Sequence, residues 1–211
     1  MNDATPLPAD ELRGFSVIAE ACAEALVNEP SERVVGDMAR VARALGDERF
    51  DAVESDAALA QRYSDRFFVP TSPFYVPLVE SSVRGAVEEG GRVTYAPATG
   101  TRADHVLKCY RAVGFDYRAM EGFAPAVKSL KPDSMACELA FMAFLARAGA
   151  NAAQGDPEAA KRAAELLRQF AHEHAAAWFG KAAHCLRAAD DDFYARTAAL
   201  AAEAVESLAA A

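Results

Sequence analysis

The sequence predicts an all-α chain, a single-domain helical bundle with one long, rigid connection. Three observations point there. Apolar residues recur at three- and four-residue spacing along most of the 211 positions, the mark of amphipathic helices. No alternating strand pattern of useful length is found, and 92–95 is the only candidate. The segment 66–82 gathers three of the ten prolines and four aromatics, Phe67, Phe68, Phe74 and Tyr75. Prolines at 70, 73 and 77 forbid both a continuous helix and a central strand. A connection this apolar either packs into the core or lines a binding groove.

The elements follow in order. Pro8 opens a first helix whose stripe is Leu12, Phe15, Ile18, Ala19, Cys22, Ala25 and Leu26, with Asp10 and Glu11 suiting its positive end. Pro30 ends it. Ser31 caps a second helix buried through Val34, Val35, Met38, Val41, Ala42 and Leu45 and stopped by Gly46. After a short amphipathic piece at Phe50 and Val53, Ser55 or Asp56 starts a third helix through Leu59, Tyr63 and Phe67. Residues 78–89 are helical or partly extended, broken by Gly90-Gly91. Thr101 is the expected N-cap of a helix carrying Val106, Leu107, Tyr110 and Val113, and His105 in its first turn is expected to be exposed. Residues 115–130 read as loop and short helix.

Asp133 or Ser134 then caps a helix that is apolar nearly all round and belongs in the middle of a bundle. Glu138 is its only charge before Arg147, so it needs a partner or a polar cleft. The small residues of 149–155 predict a loop, with a flexible linker over 149–156. Asp156-Pro157 starts a helix with Leu166, Leu167, Phe170, His174, Trp178 and Phe179 on its apolar side, which Gly180 bends or breaks. A last helix follows Asp190-Asp191-Asp192.

With 52% hydrophobic residues the chain can bury a substantial core. A net charge of −9 argues against nucleic acid and suits a cationic partner. Residues 1–10 carry Asp3 and Asp10 and no basic residue, unlike a secretory signal, and no apolar run is long enough for membrane insertion; the expectation is a cytoplasmic protein. Four scattered cysteines, with no CxxC and no close Cys/His pair other than adjacent His184 and Cys185, suggest neither a disulfide framework nor a metal site. No phosphate loop, nucleophile elbow or metalloprotease motif occurs, so neither catalytic residues nor a cofactor are expected.

Three stretches in order resemble the TorD/DmsD/NarJ-like family of redox-enzyme maturation chaperones. They are Tyr63-x-x-Arg66-Phe67-Phe68-Val69-Pro70 with Val76-Pro77-Leu78-Val79-Glu80-Ser81; then Pro132-Asp133-Ser134 through Glu138-Leu139 to Met142; then Phe170-x-x-x-His174-x-x-x-Trp178. The likeness spans about 45–200. It implies a TorD-like, all-helical, non-enzymatic chaperone over 1–211. The implied partner is a molybdopterin-containing oxidoreductase catalytic subunit, held through its twin-arginine leader or another segment until its cofactor is inserted before export.

A twin-arginine leader is a short apolar helix preceded by two arginines, so its receptor needs an apolar groove beside carboxylates. On the family's motifs, the peptide-binding candidates are Tyr63, Phe67, Phe68, Phe74, Tyr75, Pro77, Ser81 and Ser134, with Asp133, Glu138 and Glu80 to meet the guanidinium groups. Leu78, Val79 and Ser134 stand where the family has proline, an aromatic residue and histidine, so the client is expected to differ. A homodimer formed by exchanging helices stays open, as does a helical structural or regulatory module without a redox-enzyme client. His174 and Trp178, four apart, read as a packing pair.

Overall fold

Side-chain caps set where several helices begin. The computed structural model describes residues 7–90 and 92–210, which leaves positions 1–6, Gly91 and Ala211 outside the described residues. Helix α1 (Ala9–Val27) follows Pro8, α2 (Glu32–Ala44) is capped by the Ser31 hydroxyl, and α3 (Ala57–Phe67) by the Asp56 carboxylate. The proline-rich segment leads to a four-residue helix α4 (Glu80–Val83) and a two-stranded antiparallel hairpin, β1 (Val87–Glu89) with β2 (Arg92–Thr94). Helix α5 (Thr101–Ala112) is capped by Gly100, not Thr101: the backbone there has φ 151°, open to glycine alone, so Thr101 becomes the first helical residue. A 3₁₀ turn (Tyr117–Ala119) and α6 (Ala124–Ser129) precede α7 (Met135–Ala152), α8 (Pro157–Glu173), a 3₁₀ turn (Ala175–Ala177), α9 (Phe179–Ala189) and α10 (Phe193–Ala210).

Helix α7, apolar almost all round, lies at the centre, as the sequence predicts. It packs along α1 on one side and α8 on another, while α10 packs against α1 and α9. The expected linker over 149–156 is corrected here: residues 149–152 are the last turn of α7, and only 153–156 connect to α8. Gly149 lies where α7 packs close to α1: a Cβ there would lie 3.1 Å from Leu12 Cδ1. Helix α8 is also shorter than predicted. It ends at Glu173, and His174 (φ −114°, ψ −84°) turns the chain so that Trp178 and Phe179 enter the core from a separate helix. Leu166, expected on the buried side, is 42% exposed; Ala164, Leu167, Phe170 and Ala171 face inward instead. Among the described residues no helix is long and apolar enough to cross a membrane. The four cysteines are unpaired.

Candidate functional site

Backbone pairing joins the first two motifs. Val79 and Ser134 form an isolated antiparallel bridge, Glu80 N donates to Asp133 O (2.8 Å), and Met135 N donates to Leu78 O (3.0 Å). Ser134 is the N-cap of α7 through Cys137 N (3.4 Å). Asp133 reaches across to α4, accepting from Ser81 N (3.0 Å) and the Ser81 hydroxyl (2.5 Å). A carboxylate there supplies an acceptor to one of the free amides at the helix start.

The third motif closes a buried polar cluster behind that junction. Glu80, with no exposed surface, takes Arg84 (2.6 Å) on Oε1 and His174 Nδ1 (2.7 Å) on Oε2, with Arg102 3.7 Å from Oε1. The other ring nitrogen of His174, Nε2, lies 2.8 Å from His105 Nδ1. Burial alone would raise the Glu80 carboxyl, but the hydrogen bonds from His174 and Arg84 outweigh it and hold it below the usual carboxylate range. Glu138 is the opposite case. Burial, reinforced by the neighbouring Glu80 charge, pushes its carboxyl well above that range, and its Oε2 accepts from Trp178 Nε1 (3.0 Å). His174 and Trp178 are therefore not a pair stacked on one helix: each reaches a different carboxyl group. The Tyr110 hydroxyl adds a bond to Pro132 O (2.7 Å).

In front of the cluster lies an apolar groove of about 320 Å³. Its walls include Phe67, Phe68, Tyr75, Pro77 and Leu78 from the proline–aromatic segment, Ala126 and Leu130 from the α6 region, and Ser134. Tyr63 sits behind it, 1% exposed, edge-on to both Phe67 and Phe68 (ring centroids 5.0 and 5.5 Å). Phe74 faces away, covered by the Arg62 guanidinium at 3.6 Å. Of the sequence-predicted residues, Phe67, Phe68, Tyr75, Pro77 and Ser134 thus line the groove, while Glu80, Ser81, Asp133 and Glu138 lie in the buried cluster, already bonded.

Arg66 fixes the segment in place. It is fully buried, donating from Nε to the Asp192 carboxylate (2.7 Å), from one terminal nitrogen to Phe74 O (3.1 Å), and from the other to Leu186 O (3.1 Å) and Asp190 O (2.7 Å). Arg66 stands in the first motif, yet of its partners only Phe74 is near in sequence; the fold brings Leu186, Asp190 and Asp192 from 120 or more residues away.

Carboxylates at the surface lie beside the groove. Val27 borders both it and a second cavity of about 410 Å³, whose walls carry Glu20, Glu24, Asp116 and Glu121. Glu24 and Glu20 currently pair with Arg33 (2.5 Å) and Arg147 (2.6 Å). Another cavity of about 390 Å³, between α1 and α10, touches none of the motif residues. Among the described residues, two sets of side chains bring ligand atoms within 4.8 Å of one another, close enough to share one metal ion: His105, Cys109 and His174, and the buried Glu80, Glu138 and His174. His105 and Cys109 stand one helical turn apart, a spacing visible in the sequence.

Residues 28–184 match the family model described as nitrate reductase delta subunit. The crystal structure of a candidate redox enzyme maturation protein from Archaeoglobus fulgidus is similar in fold, with a TM-score of 0.50 and 20% identity over 98% of each chain. No curated protein sequence matches the chain.

Proposed function

The chain belongs to the nitrate reductase delta subunit family, and from that premise we propose that it is a client-specific chaperone for the maturation of a molybdopterin-containing oxidoreductase subunit. It holds the client's twin-arginine leader in the groove between the proline–aromatic segment and α6. The observation that carries this reading is the juxtaposition at Val27 of an apolar groove and an acidic cavity. The apolar stretch of a leader lies on Phe67, Phe68, Tyr75 and Pro77. Its arginines reach Glu20, Glu24, Asp116 and Glu121, not the buried Glu80, Asp133 and Glu138. Asp133 joins segments 78–81 and 132–138 through the Ser81 amide and hydroxyl, while Glu80 and Glu138 tie the same rear wall to His174 and Trp178.

The energetics suit a chaperone that must release its client. Three apolar anchors contribute about 2 kcal/mol each, and one or two charged hydrogen bonds about 2 kcal/mol each. Ordering the peptide offsets part of this, which leaves affinity near the micromolar range, about −8 kcal/mol.

Fluorescence anisotropy with a labelled leader peptide from a molybdopterin oxidoreductase tests the reading. Phe68→Ala and Tyr75→Ala are each expected to weaken binding about tenfold, a loss of about 1.4 kcal/mol, with helical content unchanged. Glu121→Lys is expected to weaken the twin-arginine peptide more than a peptide with both arginines changed to alanine. Affinities unchanged in all three folded variants would rule the groove out.

A further inference from the structure

We infer that His105, Cys109 and His174 form a divalent-metal site of the zinc type, with two imidazole nitrogens, one thiolate and a fourth position open to solvent or an exogenous ligand. The inference stands on geometry and does not depend on the identity of the client. The three ligand atoms lie within 4.8 Å of one another, a spread that small side-chain rotations close to metal-bonding distance. His105 and Cys109 present their donors from one face of α5, one turn apart, and His174 comes from the end of α8.

The support for His174 is the strongest part of the argument. Its Nδ1 is bonded to the buried Glu80 carboxylate at 2.7 Å, so with Nδ1–H donating, Nε2 carries the lone pair and points at His105. A carboxylate–histidine pair of this kind is what orients an imidazole toward a metal and raises its basicity. His105 then supplies the hydrogen of the 2.8 Å contact from Nδ1. On metal binding that proton moves to the exposed Nε2 of the same ring, and the Cys109 thiol gives one proton to solvent, so each chain releases one proton per ion. Burial and the nearby Glu173 charge keep the free Cys109 thiol protonated, with a pKa above its ordinary value; the metal's charge reverses that. Arg84 and Arg102 face the far oxygen of Glu80, while the thiolate, Glu80 and Glu173 supply the compensating negative charge.

The alternative trio of Glu80, Glu138 and His174 is wholly buried and would require Nδ1 to abandon Glu80's hydrogen bond. The site on α5 is reachable, because His105 is exposed and Cys109 half-buried. Two nitrogens and a sulfur suit Zn²⁺, and three protein ligands leave a coordination position free. Occupied, the site staples α5 to the end of α8 directly beside the motif cluster.

The test uses the untagged full-length chain, stripped with chelator and titrated with Co²⁺ as a spectroscopic probe, then with Zn²⁺. One equivalent of Co²⁺ is expected to give a thiolate-to-cobalt charge-transfer band that Zn²⁺ abolishes. Cys109→Ser is expected to remove the band and His105→Ala to weaken binding about 100-fold or more, beyond the loss typical of an outer-shell partner. Cys185→Ser is expected to leave both unchanged. No charge-transfer band in the wild-type chain overturns the site without reference to any variant, as does a band that survives Cys109→Ser.

Discussion

Replacing Arg66 with methionine keeps the aliphatic volume and removes every polar contact that its guanidinium makes at the start of the proline–aromatic segment. Four bonds go: one to the Asp192 carboxylate at 2.7 Å, and three to the carbonyls of Phe74, Leu186 and Asp190. Breaking a buried ion pair from one side costs about 3–5 kcal/mol. Asp192 lies toward the low end, because its side chain is 12% exposed, Arg62 stands 3.5 Å away, and it also accepts from Tyr194 N and Ala195 N. Leu186 O keeps the amide of Asp190, so its loss is small. The sum is about 3–4 kcal/mol, a large part of the roughly 5–15 kcal/mol that stabilises a typical domain. For a chain of this length that is a fall in Tm of about 10 °C. Calorimetry and urea unfolding read it, and Arg66→Lys, which keeps the charge but not the planar fork, should lie between the two. A loss under about 1 kcal/mol for Arg66→Met would show that the segment is held without the guanidinium and refute the clamp.

Two further perturbations test the polar cluster and the seam beside it. The Glu138 carboxyl is raised by burial above its unfolded value, so folding favours its protonated form and the wild type loses stability as pH rises above the ordinary carboxylate range. Glu138→Gln should therefore match the wild type near pH 4 and gain on it by up to about 1.4 kcal/mol per pH unit above that, in urea titrations across pH; a difference independent of pH would contradict the protonated state. Glu80 has the opposite sign: its lowered carboxyl contributes stability that is complete above the ordinary range and fades as pH falls below it. Gly122→Ala should cost about 1–3 kcal/mol in thermal unfolding, because the new Cβ would sit 2.8 Å from Val27 O, which also accepts from Phe123 N.

Local signals were legible where they act locally. Ser31, Asp56 and Asp156 all cap their helices through side-chain oxygens, and the all-round apolarity of α7 placed it at the centre. Expectations failed where packing overrode propensity. Gly149 reads as a loop residue but gives α1 room, and the helix predicted through Trp178 breaks at His174, where the side chain turns to Glu80. At the site, Phe67, Phe68, Tyr75 and Pro77 could be read from the segment itself, whereas Phe74, read with them, packs under Arg62 away from the groove. The inward commitment of Glu80, Asp133 and Glu138 could not, because their partners lie 40 to 94 residues away: Ser81 with Asp133, Trp178 with Glu138, and His174 with Glu80. Glu138's isolation on an apolar helix announced that a partner was needed without saying which. The carboxylates beside Val27 carry no motif at all; they come together only when α1 meets the 115–121 turn.

Hydrogen–deuterium exchange of the full chain with and without a twin-arginine leader peptide tests the central claim most directly. The account predicts slowed exchange in 67–79 and 124–131, with a smaller effect at 115–121, and little change along α10. Protection confined to the cavity between α1 and α10, or no protection at saturating peptide, would contradict it.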